Sequence, residues 1–379
     1  MRWALAAIAF LSIAAVWPGI PAWALAPKWG VVLIGASLCL FWAEVKITKA
    51  HVLGGCLLAY AWVSLSWTPV AWDAANELAQ LGACAAAFCI GAGCKDMAPM
   101  WKASAIALGL SALVCVLRWH GLVIPGQDGI AGLFPNKNFM GEAAALVTIG
   151  LLVTPRGWFW LPGPMAALWC GSCRGAFLGL ACAAIIWLWP RSKIAAIGFI
   201  LLGLGYGAVL MGERQSTSDL AQRFMIWADA WDGLTIFGRG IGSYYAAVTE
   251  HGWRLFQFTN QRADHAHNDA LELLFELGIP GLLMGLAFVG SLLSRPVQGS
   301  GLVLVCFVGV GLVGFPLHEP VTAFLGLVAA GNAAGVRYRL FDTMAVVGND
   351  LGAKPAASAW RGFSGRYRRS PRGRNSIPA

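Results

Sequence analysis

The richest chemistry in this chain is concentrated in one short polar run, Asp264-His265-Ala266-His267-Asn268-Asp269, which stands immediately before an apolar stretch starting at Ala270. A histidine at the mouth of such a stretch is partly shielded from water. With an ordinary pKa near 6.5 it can take up a proton close to neutrality, which makes it a candidate general base. The plain alternative is a hydrated interfacial histidine with no chemical role. A metal site is the other rival, since two His and two Asp lie close together. His265 and His267 are two residues apart, however, and would diverge on a helix, whereas helical zinc ligands stand four apart. No metal and no cofactor are expected. Glu272 and Glu276 follow one and about two turns further along, where a carboxylate caps or pairs with Arg as readily as it meets a substrate.

The elements that must position these groups are membrane spans. Of 379 residues, 58% are hydrophobic and 12% charged, against roughly 25% charged in a soluble domain. Apolar runs recur at the length that a bilayer of about 30 Å demands. They fall near 3–24, 29–43, 51–67, 74–92, 100–117, 139–154, 158–171, 174–190, 194–211, 268–293, 301–316 and 321–338. The expected fold is an all-α integral membrane domain over residues 1–343, with about twelve transmembrane helices. The count drops to eleven if 158–171, interrupted by Pro162 and Gly163, is a broken or re-entrant helix. Met1 to Ala26 has the positive start and small residues of a signal peptide but reads as an uncleaved first helix, ended or kinked by Pro18 and Pro21. Trp29, Trp67, Trp101 and Trp158 lie near run ends, as an interfacial aromatic belt requires.

The net charge of +9 could suggest nucleic acid, but the basic residues are scattered through short loops and a tail. With both termini inside and twelve spans, 18 of the 27 Lys and Arg fall on the cytoplasmic side, as the positive-inside rule predicts. Two outer segments are long, 118–138 and 212–267. The second is the only large polar segment between spans and includes an amphipathic stretch from Ala221 to Trp231 that suits a membrane surface. The tail, 344–379, is rich in Gly, Ser, Pro and Arg from about Val346 and reads as disordered and attracted to anionic lipid. The ten Cys lie mainly in apolar runs. Cys170 and Cys173 have redox-motif spacing but no βαβ setting.

Several motifs occur in an ordered series. They are Phe134-Pro135-Asn136-Lys137-Asn138-Phe139, Ser172-Cys173-Arg174-Gly175-Ala176, Arg223-Phe224-Met225-Ile226-Trp227, Phe237-Gly238-Arg239-Gly240-Ile241-Gly242, His267-Asn268 with Gly278-Ile279-Pro280-Gly281 nine residues on, and Gly314-Phe315-Pro316 with Glu319-Pro320. This series, over about 130–335, resembles the O-antigen ligase and O-antigen polymerase superfamily of membrane glycosyltransferases. Cys173 stands where that family commonly has Ser. The resemblance implies a GT-C-like membrane architecture and metal-independent, inverting transfer of a glycan from an undecaprenyl-pyrophosphate-linked donor at the periplasmic face of the bacterial inner membrane. The acceptor would be lipid A core for a ligase, or another lipid-linked glycan for a polymerase.

The same resemblance gives the residues their roles. His267 would deprotonate the acceptor hydroxyl, with Asn268 or Asp264 orienting the ring and His265 secondary. Arg174 and Arg223 match the family's phosphate-contacting positions, and an Arg fork donates paired hydrogen bonds to phosphate. An Arg in a membrane segment costs about 2.5–3.5 kcal/mol on insertion scales, which marks it as functional; snorkelling to headgroups is the competing explanation. Glu272, Glu276, Asn136, Asn138 and Arg239 would support the site. A transporter of polyprenyl-linked sugars would instead show paired repeats with polar groups at the midplane. Here the polar residues cluster at one face, without a second copy. A scaffold role would need none of the His and Arg set.

Overall fold

The computed structural model describes residues 1–17, 24–123, 131–201, 214–251, 254–260, 262–293 and 299–350, with side chains omitted at 214–220, 249, 251 and 337–350. The described residues are helices joined by short connections. In chain order they are α1 Arg2–Ala14, α2 Leu25–Leu40, α3 Lys49–Val63, α4 Ala71–Gly93, α5 Ala98–Trp119, α6 Lys137–Leu152, α7 Pro162–Gly171, α8 Arg174–Leu188 and α9, residues 193–201. Then follow α10 Arg214–Asp232, α11 Tyr244–His251, α12 Arg254–Thr259, α13 Asp269–Leu293, α14 Ser300–Gly311 and α15 Pro320–Asp350. Met1–Val336 forms one compact unit and Arg337–Ala379 another. In the second unit, residues 337–350 are helical, so helix continues past Val346, where the sequence reading began its disordered tail. The rest of that tail lies outside the described residues, as do Pro18, Pro21 and most of 194–211.

Two helices, α5 and α13, are long and apolar enough to cross a membrane, and α1, α2, α8, α14 and the Pro320–Val336 part of α15 are shorter apolar helices. Bulky apolar side chains point outward, Phe41, Trp72 and Trp169 among them, which suits a lipid-facing surface. Inside, the helices pack through small residues. Gly331 and Gly335 of α15 lie directly against the backbone of Phe88 and Ala92 in α4, and Gly309 of α14 meets Gly179 of α8. Close backbone approach of this kind is how helices gain contact where the solvent is as apolar as their side chains. The weakest predicted span is a short one: a 3-10 turn, Gly157–Trp160, leads into α7, whose ten residues rise only about 15 Å.

The expected amphipathic stretch is part of the longer α10, and α11 and α12 complete the polar segment. Arg254 of α12 holds this region together by bonding Asp229 at 2.8 Å and Asp232 at 2.7 Å on α10. α13 is broken at Gly278, which has φ 65° and ψ −165°. The break lets residues 275–279 and the loop 236–240 bond edge to edge: Arg239 N to Phe275 O at 3.1 Å, Gly240 N to Glu276 O at 2.8 Å and Ile279 N to Ile236 O at 2.9 Å.

Candidate active site

The site is built around the turn 265–268 at the start of α13. Asn268 caps that helix, its Oδ1 accepting from Leu271 N at 3.0 Å, and its amide donates to Leu312 O at 3.1 Å. Glu272, one turn in, reaches back: one oxygen pairs with His265 Nδ1 at 2.7 Å and the other accepts from Ala266 N at 2.8 Å. From the other side Trp227 Nε1 donates to Ala266 O at 3.0 Å. Clamped from both sides, His267 adopts φ 52°, a left-handed conformation that non-glycine residues seldom enter and that clusters at functional sites.

A second hub is the connection between α14 and α15, residues 312–319. Phe315 stacks on His265 at 4.6 Å, meets His267 edge-on at 4.8 Å and touches Phe139 of α6 at 5.5 Å between ring centroids. Arg223, one turn before Trp227 on α10, donates to Val313 O, so a single helix face braces both the histidine turn and this connection. Arg174 opens α8 with its side chain exposed. Its neighbour Gly175 lies against Val313, where an added Cβ would be 3.4 Å from Cγ2. Arg223 and His267 therefore meet at residues 312–315, and the start of α8 that carries Arg174 adjoins them through Gly175.

His318 and Glu77, absent from the sequence reading, complete the cluster. His318 Nδ1 lies 3.3 Å from Glu77 Oε1 on α4, its Nε2 lies 3.5 Å from Glu272 Oε1, and its ring is 4.3 Å from that of His265. Burial, Arg223 and His265 push the His267 pKa down to about 4, so its imidazole is neutral at physiological pH. Burial works the same way on His265, but the Glu272 carboxylate beside it prevails and holds its pKa above the ordinary value. His318 is lowered to about 4, chiefly by burial. His265, Glu272 and His318 bring one ligand-type atom each within 4.8 Å of one another, as do Glu77, Glu272 and Glu276. The expectation of no metal rested on the spacing of His265 and His267 and on the family resemblance, and did not weigh His318.

Other expected site residues have structural contacts. Glu276 accepts Tyr244 N at 2.9 Å, with further bonds from the Gly242 and Ser243 backbone, and so anchors the start of α11. Arg239 donates to Gly233 O at 2.6 Å and lies over Phe275. Asn136 caps α6 by accepting Asn138 N at 2.9 Å, and that capped turn carries Phe139 to Phe315. Asp264 is exposed. Cys173 occupies the N-cap position of α8 with its thiol 4.0 Å from Glu142, the Cys170 thiol hydrogen-bonds that of Cys115, and all three cysteines are free thiols. Glu142 lies in electrostatic reach of Arg223; its Oε2 and the Oδ1 of Asp269 are buried with no hydrogen-bond partner among the described residues. Glu77 and Glu142 did leave a signal, a carboxylate inside an apolar run, which is costly unless used.

Residues 139–286 match the family model for O-antigen ligase. The matched segment runs from α6 to beyond the break in α13, and it includes Arg174, Arg223 and His267. The match supports the resemblance to the O-antigen ligase and polymerase superfamily drawn from the ordered motifs. It also supports, in general terms, a membrane glycosyltransferase acting on lipid-linked glycans. Asn136, Asn138, Glu77 and His318 lie outside the matched segment. No curated protein matches the chain.

Proposed function

We propose that this protein transfers a glycan from undecaprenyl pyrophosphate to an acceptor hydroxyl at the periplasmic face of the bacterial inner membrane, acting as an O-antigen ligase with lipid A core as acceptor. The observation that carries the reading is the meeting of one neutral imidazole, His267, and the Arg223 guanidinium at the 312–315 connection, which the start of α8 bearing Arg174 adjoins. The topology belongs to the same proposal: about twelve spans, both termini cytoplasmic, and helices α10 to α12 in the periplasm. The expected domain division, 1–343 and 344–379, goes with it.

The chemistry follows from the charges. His267 Nε2 or Nδ1 takes the proton of the acceptor hydroxyl while that oxygen bonds to the anomeric carbon. The bond from that carbon to the pyrophosphate oxygen breaks on the opposite face, which inverts the centre and releases undecaprenyl pyrophosphate. Arg174 and Arg223 meet the charge that builds on the leaving phosphate; charge-assisted hydrogen bonds of this kind contribute about 1.5–3 kcal/mol each. A bound pyrophosphate also offsets the Arg223 charge that weakens His267 as a base, so the imidazole becomes more basic once the donor is in place. Glu272, which raises the His267 pKa, stabilises the imidazolium as it forms. No step needs a metal or a cofactor.

The test is a product gel. Purified protein and His267→Ala are incubated with labelled undecaprenyl-pyrophosphate glycan, with and without lipid A core, in the presence of chelator. Product that requires both lipid A core and His267 establishes the ligase. A ladder formed without lipid A core makes the protein a polymerase using the same site, and no His267-dependent product from folded protein rejects the shared mechanism.

A further inference from the structure

The O-antigen ligase match ends at residue 286, yet the histidine turn is completed by groups on either side of the matched segment. We propose that Glu77 and His318 are positioning residues for the transfer: Glu77 fixes the His318 ring, which together with His265 brackets the Glu272 carboxylate and through it sets the aim of His267. The inference rests on His267 being the base.

Three carboxylates, Glu77, Glu272 and Glu276, place oxygens within 4.8 Å of one another, an arrangement in which like charges repel strongly unless each has its own partner. Glu276 is satisfied by the backbone N–H groups at the start of α11. Glu272 is held by His265, Ala266 N and His318, and Glu77 pairs with His318 at 3.3 Å. Glu272 is the only one of the three bonded to the turn that carries His267. Its two oxygens fix that turn at His265 and at Ala266, the residue before the base. Loosening His318 leaves Glu272 Oε1 held on one side alone, by His265, and lets the carboxylate and the left-handed His267 turn it fixes shift. A misplacement of about 1 Å from a supporting residue costs on the order of 100-fold in rate. Neither Glu77 nor His318 touches the reacting atoms in this account, so donor binding by Arg174 and Arg223 is untouched.

The experiment uses the purified full chain with labelled undecaprenyl-pyrophosphate glycan and lipid A core. It compares wild type, Glu77→Leu, Glu77→Gln, His318→Gln, the Glu77→Leu/His318→Gln double variant and His267→Ala. Leu suits a membrane helix and keeps the volume, and Gln at 77 can still bond His318 Nδ1 in either tautomer. Glu77→Leu and His318→Gln are each expected to lower kcat by about 10- to 100-fold with donor KM within about twofold. Glu77→Gln is expected to recover most of the rate, and the double variant to lose no more than the worse single change. The proposal is overturned by wild-type kcat in both single variants, by losses confined to KM, by additive losses, or by Glu77→Gln performing no better than Glu77→Leu. Loss of wild-type activity on chelation with recovery on adding Zn²⁺ also overturns it, in favour of a metal bound by His265, Glu272 and His318. If His267→Ala remains active, the catalytic reading itself fails. If it is inactive while the Glu77 and His318 variants behave as wild type, only this inference fails.

Discussion

Replacing Gly278 by Ala tests how the site is mounted. Gly278 has φ 65° and ψ −165°, a region open essentially to glycine alone, and holding another residue there costs about 1–3 kcal/mol. A Cβ at this position would collide with the Ile236 carbonyl oxygen and the Gly238 nitrogen, and it would lie 2.5 Å from the Phe237 carbonyl carbon. These are backbone atoms of the 236–240 loop and cannot swing aside. Relief requires that loop to move away, breaking at least two of its three bonds to the α13 region at about 0.5–1.5 kcal/mol each. The expected total is about 2–6 kcal/mol. Gly290, in the same helix, is the control, because a Cβ there meets nothing within 4 Å and Ala is favoured in a helix interior by roughly 0.5–1 kcal/mol. Thermal melting of detergent-purified protein should show Gly278→Ala unfolding well below wild type and Gly290→Ala at or above it. Transfer activity should fall only in the first. Equal melting points for Gly278→Ala and wild type would refute the argument, since they would mean the loop is not fastened to the break.

Three further expectations follow from the same geometry. Arg223 is one of the causes holding the His267 pKa down to about 4, and His267 acts as base only when neutral. Arg223→Gln should therefore move the acid limb of the kcat/KM profile upward, toward but not beyond the ordinary 6.5; an unmoved or lowered limb counts against the pairing. Trp227→Phe removes the donor to Ala266 O while keeping an aromatic ring, and should reduce kcat several-fold with a stability loss of about 1 kcal/mol, read by initial rates and melting. Asn268→Ala deletes both the cap of α13 and the bond to Leu312 O, for a loss of about 1–2 kcal/mol in thermal stability.

Much of this protein was legible from its sequence because the signals are local. Apolar run length announces helices, so α4, α6 and α13 lie within three residues of the runs expected at 74–92, 139–154 and 268–293. The ordered motifs identified the segment that the family model matches and singled out Arg174, Arg223 and His267 together. Composition and spacing carry no distance, however, and the remaining features depend on distance. Arg239 and Glu276 stand in motif positions as prominent as that of His267, but their side chains bond backbone instead, Arg239 the Gly233 carbonyl and Glu276 the start of α11. Glu77 lies 190 residues before His267 (267 − 77) and appears in sequence only as an unexplained charge in an apolar helix. His318 follows the next helix as an isolated imidazole. Helix packing brings both to Glu272, because α4, α13 and the 312–319 connection share one end of the bundle. A sequence states which groups must be sheltered from lipid; only the packed helices decide which of them shelter one another.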